Sequence, residues 1–183
     1  MKELNWPDGV FPDIPAPKPG ELTVIAAPRV SGKTTFAVEL ARAWGRERKV
    51  VLCVPQIEAL PRELRRSPPG LFRIETEHGN ISTLWSDLVF GGNLDDPDVL
   101  ILDEVWLDPE PVADPGRQRP TLKRLAQGLR IPVIAIVNRS SAVDAVLAAD
   151  SLLVTDGKVP AATKEPGVGV RWFGKEAEPE CSN

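Results

Sequence analysis

Cysteine and histidine are scarce: the 183 residues include two cysteines and one histidine. Cys53 lies in an apolar run and Cys181 in a polar tail, which excludes a disulfide framework and a thiolate–imidazole metal cluster. No apolar stretch approaches the roughly 18 residues that a membrane span needs, and the first residues lack the apolar core of a signal peptide. A cytoplasmic, reducing compartment and no membrane partner are therefore expected. A basic surplus is also missing. Lys plus Arg number 22 against 26 Asp plus Glu, a net charge of −4, which excludes a globally basic nucleic-acid coat but leaves room for a local basic site. What is present looks globular: 42% apolar and 26% charged residues in about one domain's length, enough to bury a core without staples.

Five of the 19 prolines fall between Pro7 and Pro19. Each fixes φ and removes a backbone donor, so an extended arm is expected over 1–19. Trp6, Val10, Phe11 and Ile14 would anchor it on its own surface or a neighbour's. Beyond Gly20, apolar runs at 22–27, 50–54, 71–76, 99–102, 132–137 and 151–155 read as strands, with an edge strand at 168–173. Helical spacing recurs at 33–44, stopped by Gly45, and at 60–66, 81–90 and 122–129. This alternation predicts parallel pairing and a three-layer α/β sandwich over 20–174, followed by a polar tail at 175–183.

The most informative stretch is Ala27-Pro28-Arg29-Val30-Ser31-Gly32-Lys33-Thr34-Thr35. Lying between a buried strand and an amphipathic helix, it has the context of a phosphate-binding loop. Unpaired N–H groups at the helix start converge on an anion, and Gly32 lets the backbone approach it. Lys33 would reach the β- and γ-phosphates of ATP, and the Thr34 hydroxyl would ligate Mg²⁺. Ala27 stands where the pattern G-x-x-x-x-G-K-[ST] has glycine, a strained choice if that position needs φ > 0.

Val99-Leu100-Ile101-Leu102 ends in Asp103-Glu104. Strand carboxyl ends face the ligand crevice of a parallel sheet, so Asp103 is expected at the Mg²⁺ and Glu104 at the attacking water as base. Glu58, after the strand at 50–54, competes for that role; Glu104 is preferred because Pro55 and Gln56 make the Glu58 turn irregular. Asn138 follows the strand at 132–137 and serves either as a polar sensor of the γ-phosphate or as a strand cap.

The segment from Pro19 to Ala37 resembles the nucleotide-binding segment of the RecA-like ATPases, nearest to the DnaB-type replicative helicases, and Ile131–Asn138 is similar to that family's strand ending in a polar sensor. The resemblance implies a RecA-like P-loop sheet, assembly into a ring or filament with ATP at subunit interfaces, and a cationic finger from the neighbour. Lys164 is the first candidate for that finger and Arg171 the second, although the family's Lys-x-Arg pattern is not intact. Where the helicases carry a helical N-terminal domain, a proline-rich arm is expected at 1–19.

By the same resemblance, the loops 108–120, with Arg117 and Arg119, and 139–150, starting at Arg139, would face single-stranded DNA. Asp108, Glu110 and Asp114 bring the first loop near neutrality, and neither offers an aromatic for stacking, so a merely solvated pair of loops is an equal reading. His78 reads as a turn residue, Trp44, Trp85 and Trp172 as packing residues, and Arg62, Arg65 and Arg66 as a solvated face. The expected activity is MgATP hydrolysis in a helicase-like oligomer. A nucleotide-dependent binding module with little turnover and a small-molecule kinase are the alternatives.

Overall fold

A computed structural model of the chain describes residues 4–7, 10–11, 14–54, 60, 62, 72–75, 96–104, 122–138, 149–155 and 170–174. In chain order the elements are β1 (Leu22–Ala27), α1 (Lys33–Trp44), β2 (Val50–Cys53), β3 (Phe72–Glu75), β4 (Val99–Asp103), α2 (Leu122–Leu129), β5 (Val133–Asn138), β6 (Ser151–Thr155) and β7 (Val170–Gly174). The strands form one seven-stranded sheet in the order β3-β2-β4-β5-β1-β6-β7. All pairings are parallel except that of β7, which runs antiparallel to β6 at the edge. Of the expected helix at 60–66 only Leu60 and Arg62 are among the described residues, and the one at 81–90 lies outside them.

Strand alternation sorts the apolar side chains into two cores, because successive residues point to opposite faces. Leu22, Val24 and Ala26 of β1 and Val133, Ala135 and Val137 of β5 pack with Leu122, Leu125 and Ala126 of α2. Ile25, Ala27, Ile134 and Ile136 face the other way, onto Phe36, Ala37, Leu40 and Trp44 of α1. Helix, sheet and helix make the three layers. Covered on both faces, β1, β2 and β4 have no need of polar alternation, which is why each reads as a nearly unbroken apolar run.

The proline-rich arm docks on its own chain. Leu4, Val10 and Phe11 are buried in the α1-side core, with Trp6 and Ile14 packed against it. Trp6 meets Phe11 edge-on at 4.9 Å and Trp44 at 5.6 Å, and Phe11 meets Phe36 at 5.9 Å. Both indoles also donate hydrogen bonds: Trp44 Nε1 to Asn5 O at 2.7 Å and Trp6 Nε1 to Pro15 O at 3.0 Å. The arm is not simply extended, because Val10, Ile14 and Glu21 N–H groups close turns on Pro7, Phe11 and Lys18 carbonyls. Gly45 stops α1 as expected; it is right-handed (φ −64°), with its N–H on Ala41 O, so it caps the helix without using glycine's left-handed freedom.

Phe11 fills the space between arm and helix, and its loss leaves a cavity. Phe11→Ala should lower stability by about 3 kcal/mol, measured as a shift of the denaturant midpoint.

Candidate functional site

In a parallel sheet the crevice lies beyond the carboxyl ends of the strands. Here that edge brings together Ala27 at the end of β1, Asp103 at the end of β4 and Asn138 at the end of β5, with Ala27 and Asn138 in register. Between β1 and α1, residues 28–32 form the loop. Its left-handed positions are Val30 (φ 58°) and Gly32 (φ 85°), whereas Ala27 has no positive φ. The methyl of Ala27 is therefore tolerated, buried in an extended strand. A Cβ built on Gly32 meets nothing within 4 Å, so glycine is wanted there for its backbone angle rather than for space.

The first helical hydrogen bond of α1 runs from Phe36 N–H to Gly32 O. The N–H groups of Lys33, Thr34 and Thr35 lie ahead of that bond, at the positive end of the helix, the geometry that suits a phosphate. The Thr34 side chain lies beside Asp103, near enough to pull its pKa down. Lys33 is buried, and its ammonium donates to Pro28 O at 2.9 Å and pairs with Glu104 Oε1 at 3.2 Å. Glu104 adopts φ 51°, with its N–H on Ile136 O at 2.9 Å. Pro28, half-buried, supplies a carbonyl rather than a side chain; Arg29, Val30 and Thr35 are exposed, while Ser31 is buried.

Asp103 is 1% exposed. Desolvation pushes its pKa up from 3.8 to about 6, the Thr34 side chain and the Lys33 charge pulling back against burial and the Glu104 charge. Its Oδ1 and the Ser31 Oγ are buried polar atoms with no hydrogen-bond partner among the described residues. A dication fits this arrangement: a buried carboxylate with one oxygen unspent, beside a hydroxyl, is a hard oxygen donor set. No group of three or more His, Cys, Asp or Glu among the described residues could form a metal cage. Mg²⁺, which takes few protein ligands and completes its shell with phosphate and water, needs none.

Asn138 is half-buried at the end of β5. Arg171 falls in β7, in register with Val154 of β6, and Trp172 with Leu153. Glu58, Lys164, Arg117, Arg119, Arg139, His78 and Trp85 lie outside the described residues, as does the loop 108–120. Of the loop 139–150 only 149–150 are described; they lie at the opposite edge of the sheet, where Asp150 accepts the Leu22 N–H at 2.8 Å and pairs with Lys123. A cavity of about 610 Å³ also opens at that far edge, lined by Leu4, Pro17, Pro19, Val99 and Pro132 among others; it is remote from the phosphate loop. The Pro28 carbonyl and the Lys33–Glu104 pair escaped sequence reasoning, because a backbone acceptor carries no side-chain signal.

Sheet order and the strand–loop–helix connection from β1 to α1 together define a RecA-like α/β fold. No family model matches the chain, and no curated protein matches its sequence. Among solved structures it is similar to the flagellar accessory protein FlaH from Methanocaldococcus jannaschii, with a TM-score of 0.53 at 14% identity over 86% of this chain and 91% of that one. Among the described residues, no helix is long and apolar enough to cross a membrane.

The native protein holds the Asp103 proton more tightly than the unfolded chain, whose value is near 3.8. Stability from this group is therefore full below pH 3.8, falls as pH rises toward about 6, and stays lost above it. Asp103→Asn should stabilise the ligand-free protein at pH 7.5 by roughly 2 kcal/mol, and the gain should close as pH falls to 4 in parallel denaturant titrations. Val30 is β-branched, left-handed and 98% exposed. Val30→Gly should gain about 0.5–1 kcal/mol in those titrations, the relief of backbone strain exceeding glycine's entropy cost.

Proposed function

We propose that the chain is a P-loop ATPase of RecA-like type that hydrolyses MgATP and works as an oligomer, ring or filament, on single-stranded DNA in the manner of the DnaB-type helicases. The meeting of Lys33 and Thr34 with Glu104 and Asp103 carries this reading, because it brings the phosphate loop and the acidic strand end to one place. The loop N–H groups and Lys33 bind the β- and γ-phosphates. Thr34 and Asp103 hold Mg²⁺, which when bound neutralises charge on the phosphoryl oxygens. Water attacks the γ-phosphorus, Glu104 takes the proton, and ADP leaves as the bond to its β-phosphate oxygen breaks. Asn138 lies where it can hydrogen-bond the γ-phosphate or the water. Lys164, or failing that Arg171, would reach a neighbour's phosphates, and the loops 108–120 and 139–150 would meet the DNA strand.

A second reading, a nucleotide-dependent accessory module with little turnover, is favoured by one observation: the Oε1 of Glu104 is engaged by Lys33 rather than left free for a water. The fold shared with an accessory protein agrees with it. Turnover separates the two. Lys33→Ala should abolish nucleotide binding and hydrolysis, and Glu104→Gln should keep binding while losing at least about 100-fold in kcat. Single-stranded DNA should stimulate the wild type, with a ring-sized species in native mass measurement. A slow ATPase indifferent to DNA and unaffected by Glu104→Gln would favour the accessory module.

A further inference from the structure

The Lys33 ammonium is needed by a triphosphate, yet in the ligand-free protein it is already engaged twice. Pro28 O accepts from it at 2.9 Å, and Glu104 Oε1 lies 3.2 Å away. A lysine 6% exposed requires such partners, because a buried charge without them is costly. The carboxylate is aimed rather than incidental. Glu104 sits at φ 51°, a conformation that persists only where its surroundings over-determine it, and its N–H is tied to Ile136 O of β5. Meanwhile Ser31 Oγ in the same loop and Asp103 Oδ1 beside Glu104 remain unsatisfied. Without ligand, the cation of the site is spoken for while two of its oxygens are not.

We infer that Glu104 is a latch on Lys33. It holds the ammonium in the empty loop and is released as a base only when a polyphosphate draws that ammonium away. Transfer of Lys33 from Glu104 to the phosphates therefore binds the substrate and frees the Glu104 carboxylate in one motion. The latch itself is read from the ligand-free contacts; the release of a base rests on the ATPase reading above.

The test uses the full chain with Glu104→Gln and Glu104→Asp. The first removes the charge. The second keeps it but shortens the reach by one methylene. In ligand-free protein, acylation of Lys33 by an N-hydroxysuccinimide ester, read by mass spectrometry, should rise severalfold in both variants. A fluorescent non-hydrolysable ATP analogue, added without Mg²⁺, should bind both variants about three- to fivefold tighter than wild type, the range expected for loss of one half-exposed ion pair. Unchanged Lys33 labelling in Glu104→Gln overturns the latch, whatever the nucleotide does. Tighter binding by Glu104→Gln alone, with Glu104→Asp matching wild type, also overturns it and assigns the effect to the general field of a negative charge. Raised labelling in both variants with no nucleotide bound by any of them supports the latch and retires the ATPase reading.

Discussion

The ion pair between Lys33 and Glu104, 3.2 Å long, ties the start of α1 to the chain leaving β4, two elements that the sheet does not place side by side. β5 separates β1 from β4, so at a strand spacing of about 4.8 Å the two strand ends stand roughly 10 Å apart. Residues 28–32 leave β1 and deliver α1 across that gap, onto β2 and β4. Phe36, Ala37 and Leu40 then fix where the helix lies by their burial against the sheet. Lys33 and Thr34 have no independent freedom to choose their place. They are carried to it by an apolar interface one turn further along, so the precision of the polar site is set by packing. The cost is visible in Asp103, whose burial raises its pKa to about 6. A carboxylate kept in so unfavourable a position lowers the stability of the ligand-free fold and is relieved by a cation.

Left-handed backbone clusters on the same edge. Val30, Gly32 and Glu104 all have positive φ, and each lies in the connection that leaves a strand end. Gly32 turns the chain so that the first N–H groups of α1 point outward, and Glu104 folds back so that its carboxylate reaches Lys33 at 3.2 Å. Among the described residues the remaining cases, Gly20 and Arg130, sit in turns at the opposite edge, where Gly20 N–H bonds Ile131 O. Positive φ in the two places has different work to do: at one edge it closes connections, at the other it sets the start of α1 and the Glu104 carboxylate against each other.

Much of this was legible in the sequence because the physics was local. β1, α1, α2 and β6 occupy the stretches that their apolar spacing predicts, and the context of Gly32-Lys33-Thr34 marks the loop without any tertiary knowledge. The Asp103 position required one further step, that strand carboxyl ends share an edge. Strand order was not legible. Doubly covered parallel strands are all apolar runs, so nothing in 50–53 or 99–103 states which neighbour each takes. The arm was half legible: Trp6 and Phe11 announced a docked segment, but the indole N–H bonds to Asn5 and Pro15 carbonyls depend on chain folded back over α1. Ala27 looked a departure only while its φ was unknown; the strained angle belongs to Val30 instead.

The arm and the phosphate loop share one helix, and this has a mechanical consequence. α1 is 12 residues long, about 18 Å at 1.5 Å per residue, with Lys33 at one end and Trp44 at the other. Phe11 of the arm touches Phe36 in its first turn, while Asn5 and Trp6 hold Trp44 in its last. The sheet grips α1 from below and the arm from above, along its whole length. A helix so held cannot tilt at its N-terminus without disturbing the aromatic contacts at its C-terminus, because close-packed interfaces resist small displacements on both sides. Local adjustment to a phosphate must then fall on what is not gripped: the loop 28–32, with its exposed Val30, and the long side chain of Lys33. The fold thereby confines ligand-driven motion to the few groups that exchange partners at the crevice, and leaves the three layers as a rigid frame around them.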